Sequence, residues 1–160
     1  MNKEIEKHEK IGIEHFKEDF GEYYKTERTG DGCYFDLMAT ALTNTALTYV
    51  IEIKDYSDPE HPRPYDKFPN YQIDLDKIEH LVSAASYYNS IPILYVHFSD
   101  CSIVWRPDQI DYESRKKRMK VNKYGIRYGR KEFSEQTYFS KEEAECVLDN
   151  DKRGSNKKNS

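Results

Sequence analysis

Long hydrophobic runs are missing from this chain. No stretch approaches the roughly 20 apolar residues that a bilayer-spanning helix needs, and the opening MNKEIEKHEK holds no apolar segment that would serve as a secretory signal. No membrane partner is therefore expected, and the expected setting is cytoplasmic. Cysteine is scarce: Cys33, Cys101 and Cys146 stand far apart, cannot all pair, and lack the close Cys or His neighbours of zinc-binding spacings. A disulfide framework is excluded and a reducing compartment fits. The apolar fraction is only 37% and the mean hydropathy −0.96, yet 14 Tyr and 7 Phe supply large surfaces for burial. At 160 residues, one domain with a proper core is expected over 1–149. The tail 150–160, rich in Lys, Asn, Ser and Gly, is expected to be disordered.

Basic charge is also in short supply overall, with a net charge of −4, which at first sight disfavours a nucleic-acid partner. The distribution is uneven, however. Between Asp111 and Lys131 nine basic residues, among them Arg115, Lys116, Lys117, Arg118, Lys120 and Lys123, face only two acidic ones. Such a segment suits a phosphate-binding surface; the alternative is a solvated charged loop.

Asn2 to Phe20 reads as a helix, with Ile5, Ile13, Phe16 and Phe20 in one stripe and Gly21 as the stop. Three strands in an antiparallel meander are expected next: Glu22 to Arg28, Cys33 to Ala39 after a Gly-Asp-Gly turn, and Ala46 to Lys54. Four prolines among charged and aromatic residues make Asp55 to Asn70 a long loop, of the kind that is often functional. Asp74 is the expected N-cap of a helix with Leu75, Ile78, Val82 and Ala85 inward, stopped near Asn89. A strand buried on both faces (Ile93 to Phe98) and another at Ser102 to Trp105 follow. Beyond the basic segment, a strand at Thr137 to Phe139 and a capping box Ser140-Lys141-Glu142-Glu143 before a short helix through Leu148 are expected. The fold class is thus α/β: a central mixed sheet with flanking helices in the order α-β-β-β-α-β-β, plus a C-terminal strand and short helix.

The chemistry concentrates on Asp36 and Glu52-Ile53-Lys54. Alternate residues of a strand share a face, so Glu52 and Lys54 point the same way from an otherwise apolar strand. With Asp36 on the neighbouring strand, two carboxylates and one amine converge. Hard divalent ions bind such oxygen ligands, and a bound ion with an ammonium group beside it is what phosphodiester hydrolysis needs. A surface ion pair is the competing reading, and it explains poorly why two charges end so apolar a strand.

Helix, three strands, helix, strand, with Asp on the second strand and Glu-x-Lys on the third sixteen residues later, resembles the PD-(D/E)xK nucleases, which include restriction endonucleases and archaeal Holliday-junction resolvases. The resemblance covers Asn2 to Trp105, and Phe35 stands where the family's Pro often precedes the Asp. It implies a restriction-endonuclease-like core, Asp36 and Glu52 as ligands of Mg²⁺ (with Mn²⁺ able to substitute), and Lys54 assisting the attacking water. It implies double-stranded or branched DNA as substrate, and a homodimer, since small members frequently place two sites on two strands. Resolvase-like members add a Glu from the first helix. Glu9 has the helical phase for it and Glu14 has the sequence context, after Ile11-Gly12-Ile13. Some members place a Gln, Tyr or Lys near the start of the next helix, a region occupied here by Tyr71, Gln72 and Lys77. Cap and surface roles are the alternative for these.

The five histidines show no spacing that suggests a metal triad or a nucleophile–base couple, and His97 is expected to be a hydrogen-bonded core residue. Tyr65 and Phe68 in the proline-rich loop are candidates for touching DNA. Two readings of function remain: a metal-dependent nuclease, on DNA or with the same site on RNA, or a non-catalytic nucleic-acid- or protein-binding module that has kept the nuclease fold.

Overall fold

The structure, a computed structural model, describes residues 3–29, 35–67, 70–121 and 132–149. Among the described residues two α-helices, α1 (Lys3–Phe20) and α2 (Leu75–Tyr87), accompany nine strands: β1 (Tyr24–Arg28), β2 (Leu37–Ala41), β3 (Thr48–Asp55), β4 (Asn70–Asp74), β5 (Ile91–His97), β6 (Cys101–Trp105), β7 (Lys117–Val121), β8 (Glu132–Ser140) and β9 (Cys146–Asp149). Six form a sheet in the order β1-β2-β3-β5-β6-β9, and three form a smaller one in the order β4-β8-β7. Among these pairs only β3 and β5 run parallel. A parallel pair needs a crossover, and here β4 and α2 provide it.

The period-2 alternation of β2 and β3 divides the large sheet into two faces with different covers. Leu37, Ala39, Ile51 and Ile53 pack under Ile13 and Phe16 of α1. Val50, with Phe35, meets Leu81 and Ala85 of α2 on the other side. Farther along that second face, Leu94, Val96, Ile103 and Trp105 meet Ile78 of α2 and Tyr71, Ile73 and Phe139 of the small sheet. Tyr71 stacks on Trp105 at 5.7 Å between centroids, and the Trp105 indole N–H donates to the Ser140 carbonyl at 2.8 Å. A fully buried side chain such as Phe98 or Leu94 contributes roughly 2 kcal/mol, so these clusters compensate for the low mean hydropathy. No described helix is long and apolar enough to cross a membrane.

Most expected elements are present, and three differ. Asn70 to Asp74 is a strand rather than loop and cap: Tyr71 and Ile73 enter the core while Gln72 faces out. Asp74 does precede α2 but makes no cap bond, because its carboxylate accepts from Ser134 (2.8 Å) and Gln136 of β8. The Ser140–Glu143 capping box forms, but it opens a single 3-10 turn. Cys146 to Asp149 then pair with β6 as an edge strand instead of continuing a helix. Helix α2 ends as expected, with Asn89 at φ 51° just beyond it, and buries Leu81 fully in addition to the expected Leu75, Ile78 and Ala85, with Val82 packed partly buried against the core. The Gly-Asp-Gly turn and the tail 150–160 lie outside the described residues.

Candidate active site

Three expected site residues meet on the α2 face of the large sheet. Asp36 sits just before β2, and its backbone N–H donates to the Ile51 carbonyl at 2.9 Å. Its Oδ2 accepts the Ile53 N–H at 2.8 Å. The Asp36 carboxylate is thereby fixed beside the strand that carries Glu52 and Lys54, and Lys54 Nζ lies 3.4 Å from Glu52 Oε1. Only 12% of the Glu52 side chain and 27% of the Lys54 side chain are exposed. At that burial the pair is much less screened than a surface ion pair.

The electrostatics identify the site's neighbours. Burial and the adjacent Glu52 carboxylate push the Asp36 pKa up to about 6, against the Ile53 amide, Lys54 and Lys77. Burial works against the charge on Lys54, but Glu52, a hydrogen bond with Lys77, and the nearby Tyr56 and Asp36 hold its pKa above the ordinary value. Lys77 goes the other way: burial and the Lys54 ammonium lower it, in spite of Glu52 and Asp36. Two carboxylates and two amines therefore gather in one part-buried cluster whose amines are shifted in opposite directions, a pattern frequent at functional sites.

Lys77, on the first turn of α2, thus joins the trio. Gln72 does not: Tyr71 and Ile73 on either side are buried, so Gln72 points from the opposite face of β4 into a concavity of about 150 Å³ with Asn70, Arg115, Lys117 and Gln136. Its expected place at the start of α2 fails because the chain there is extended. Tyr71 lies under the site, near Glu52, its hydroxyl 3.0 Å from that of Tyr56; burial holds its pKa well above the ordinary value. The Arg63 guanidinium covers both rings, 4.3 Å from Tyr56 and 5.6 Å from Tyr71. Tyr56 and Arg63 escaped the sequence reading because nothing in their spacing marks them; only their place in the proline-rich loop hinted at function.

Of the two helix-1 candidates, Glu9 pairs with Arg28 at 3.7 Å, at the end of β1 opposite Leu37, and Glu14 is exposed. Tyr65 is a core residue, 5% exposed, whose hydroxyl accepts the Lys141 N–H at 2.9 Å, so it is not presented to a nucleic acid. Phe68 lies outside the described residues. In the basic segment, Arg115 is held by Glu143 through two 2.6 Å contacts, while Lys116, Lys117 and Arg118 are exposed. Lys120 stands on β7, and Lys123 lies outside the described residues. His97 is buried and bonded to Ser102, as expected, but it also stacks on His15, a pairing no spacing foretold.

No protein-family model and no curated protein matches this sequence. Among solved structures, Hjc, a Holliday junction resolvase from the archaeal hyperthermophile Archaeoglobus fulgidus, is similar with a TM-score of 0.53 and 11% identity, over 88% of this chain and 94% of that one. At that identity the likeness is one of fold. The chain has a restriction-endonuclease-like, hence nuclease-like, architecture of a central mixed sheet and two helices, as the resemblance to the PD-(D/E)xK nucleases implied.

Proposed function

We propose that a chain with the fold of a junction resolvase, carrying these four charged groups in one pocket, is a divalent-metal-dependent deoxyribonuclease that hydrolyses phosphodiester bonds in double-stranded or branched DNA. The observation that carries this reading is the meeting of the largely buried Asp36 and Glu52 carboxylates beside Lys54 Nζ. Mutual repulsion of two carboxylates in a desolvated pocket is relieved by a cation, and an all-oxygen donor pair fits Mg²⁺ or Mn²⁺ better than softer ions. Asp36 and Glu52 are the residues that would hold it; when bound, the ion supplies charge stabilisation to the phosphate and acidifies water.

The chain's own groups do the rest. Lys54 keeps its proton and presents fixed positive charge to the developing negative charge. Lys77, the more easily deprotonated amine, is suited to moving a proton as the water oxygen bonds to phosphorus and the ester oxygen leaves. Tyr56, Tyr71 and Arg63 form the wall beside these groups. Glu9 remains the candidate for an added carboxylate from α1, being held near the Asp36 end of the sheet, and Glu14 is the weaker of the two. Lys116, Lys117 and Arg118, with Lys120 and Lys123, supply contacts to the phosphate backbone. A homodimer would place two such sites on two strands.

Supercoiled plasmid, linear duplex, four-way junctions and RNA, incubated with Mg²⁺ or Mn²⁺, test the proposal. Metal-dependent cleavage of at least one DNA form, absent in Asp36→Ala and Glu52→Ala, is the expected result. Binding of DNA with no cleavage of any form, unchanged by those substitutions, would instead favour a non-catalytic module on the nuclease fold.

A further inference from the structure

The face of the large sheet covered by α1 also carries polar groups at its end. Asp55 closes β3 and His97 closes β5, and the two are register partners in the parallel pair. From α1, His15 stacks on His97 with centroids 4.0 Å apart and planes 14° from parallel. One ligand atom from each of His15, Asp55 and His97 lies within 4.8 Å of the others.

These groups are wholly or partly buried where apolar packing would be cheaper. His97 is 3% exposed, burial raises the pKa of Asp55, and His15 Nδ1 is sealed from solvent without a hydrogen-bond partner. Glu18 Oε2 lies 3.7 Å from it, too long for a hydrogen bond. A buried polar atom left unsatisfied costs free energy, so the cluster calls for a further group.

Two of the three members are also supported from behind. The Ser57 hydroxyl lies 2.9 and 3.0 Å from the two Asp55 carboxylate oxygens. Ser102 Oγ meets His97 Nδ1 at 2.5 Å. Metal-ligating histidines characteristically engage a carboxylate or hydroxyl through one ring nitrogen and the ion through the other. Here Nδ1 of His97 faces such a partner, which assigns its ligation to Nε2.

We propose that His15, Asp55 and His97 bind one zinc-class divalent ion that clamps α1 onto the ends of β3 and β5. Two nitrogens and one oxygen, completed by water, match the preference of Zn²⁺ and not that of Mg²⁺. Asp55 also lines a cleft of about 670 Å³ together with His8, Ser57 and His61, which gives its carboxylate a side open to water. The site is separate from Asp36 and Glu52, because Asp55 and Lys54 are adjacent in β3 and alternate strand residues face opposite sides. It does not depend on nuclease activity.

The test is titration of the metal-stripped full chain with Zn²⁺ and Co²⁺ in saturating Mg²⁺, followed by calorimetry and visible absorption. One equivalent is expected to bind, Co²⁺ giving the intense bands of a tetrahedral centre. His15→Gln and Asp55→Asn are each expected to weaken Zn²⁺ binding on the order of 10- to 100-fold, with Asp36→Asn binding as wild type. Absence of binding or of tetrahedral Co²⁺ bands in the wild type would overturn the proposal. So would wild-type affinity in a folded His15→Gln or Asp55→Asn chain, or loss of the ion in Asp36→Asn. Asp55→Asn keeps an acceptor for Ser57, so it serves if the His15 substitution fails to fold.

Discussion

Asp36 Oδ2 accepts the backbone N–H of Ile53, the residue between Glu52 and Lys54, at 2.8 Å. That bond joins the two halves of the proposed catalytic motif directly, side chain of one strand to backbone of the next. It restrains the Asp36 carboxylate in a single place without consuming either charged side chain of β3. Catalytic groups gain rate from being held before substrate arrives, and this is the element of preorganisation that the meander provides.

Removing the charges should abolish cleavage without unfolding the chain. Asp36→Ala, Glu52→Ala and Lys54→Ala are each expected to lower DNA cleavage by roughly 10²-fold or more, measured as initial rates of plasmid nicking in Mg²⁺. Lys54→Arg keeps a charge but not a compact ammonium, and is expected to recover little. Cleavage at the wild-type rate by Asp36→Ala would place the chemistry elsewhere.

Asp36 should trade stability for function. Its folded pKa of about 6 stands above the ordinary 3.8, so the folded state binds this proton more tightly than the unfolded chain. Stability of the metal-free protein therefore falls as pH rises from about 4 to about 6, and the loss persists above that range. At about 1.4 kcal/mol per pH unit the ionised group costs the fold roughly 3 kcal/mol. Asp36→Asn, which still accepts from Ile53, is expected to raise the Tm at neutral pH and leave it nearly unchanged below about pH 4. Thermal melts across that range check it; a lower Tm for the variant at neutral pH is the contrary result.

Five of the six main-sheet strands, both helices and the Asp36–Glu52–Lys54 grouping were legible because each rests on local periodicity, 3.6 for Ile13 and Phe16 and 2 for Glu52 and Lys54, whereas β9 was expected as the end of a short helix. Of the small sheet only Thr137 to Phe139, within β8, was legible as strand. Tyr71 and Ile73 alternate over only five residues, after a run of prolines, and the partner strand β8 lies more than sixty residues away. Gln72 and Lys77 are indistinguishable as polar residues near a helix start, and only the pairing of β4 with β8 sends one outward and leaves the other at the pocket. His15 and His97 were illegible for the same reason, since a helix and a distant strand meet through the packing of Gly12.

Gly12 lets α1 approach β3. A Cβ there would lie 2.6 Å from Ile53 Cγ2 and 3.4 Å from Asp55 Cβ. Gly12→Val is expected to destabilise the chain by about 1–3 kcal/mol through overpacking, read from urea denaturation. Because Ile53 also donates to Asp36, cleavage should fall as well. A stability within experimental error of wild type would mean that α1 has room to move.

The basic segment divides into structural and exposed charges. Arg115, closed against Glu143 at 2.6 Å, should contribute to folding: Glu143→Ala leaves Arg115 and the Ser140 turn without their acceptor and is expected to cost about 1–3 kcal/mol. Lys116→Ala and Lys117→Ala should leave stability alone and reduce the salt dependence of DNA binding by about one phosphate contact each. Binding isotherms at several salt concentrations separate the two classes, and an unchanged slope for both lysine variants would remove this segment from the DNA interface.

Lys77 and Gln72 offer the sharpest contrast between what the sequence allows and what the fold selects. Both were candidates for the scissile phosphate, yet Lys77 alone exchanges charge with Lys54, Glu52 and Asp36, and Gln72 lies across β4 in the concavity with Arg115 and Lys117. Lys77→Met is expected to lower the cleavage rate about 10-fold or more at saturating DNA. It should also change the alkaline limb of the pH–rate profile, since the amine with the depressed pKa is the one that titrates first. The Tm should not fall, because the substitution removes a like-charged neighbour of Lys54. Gln72→Ala is expected to leave the rate at saturating DNA intact and alter only affinity. A rate defect in Gln72→Ala, with Lys77→Met behaving as wild type, would reverse the assignment and require that β4 detach from β8 when DNA binds.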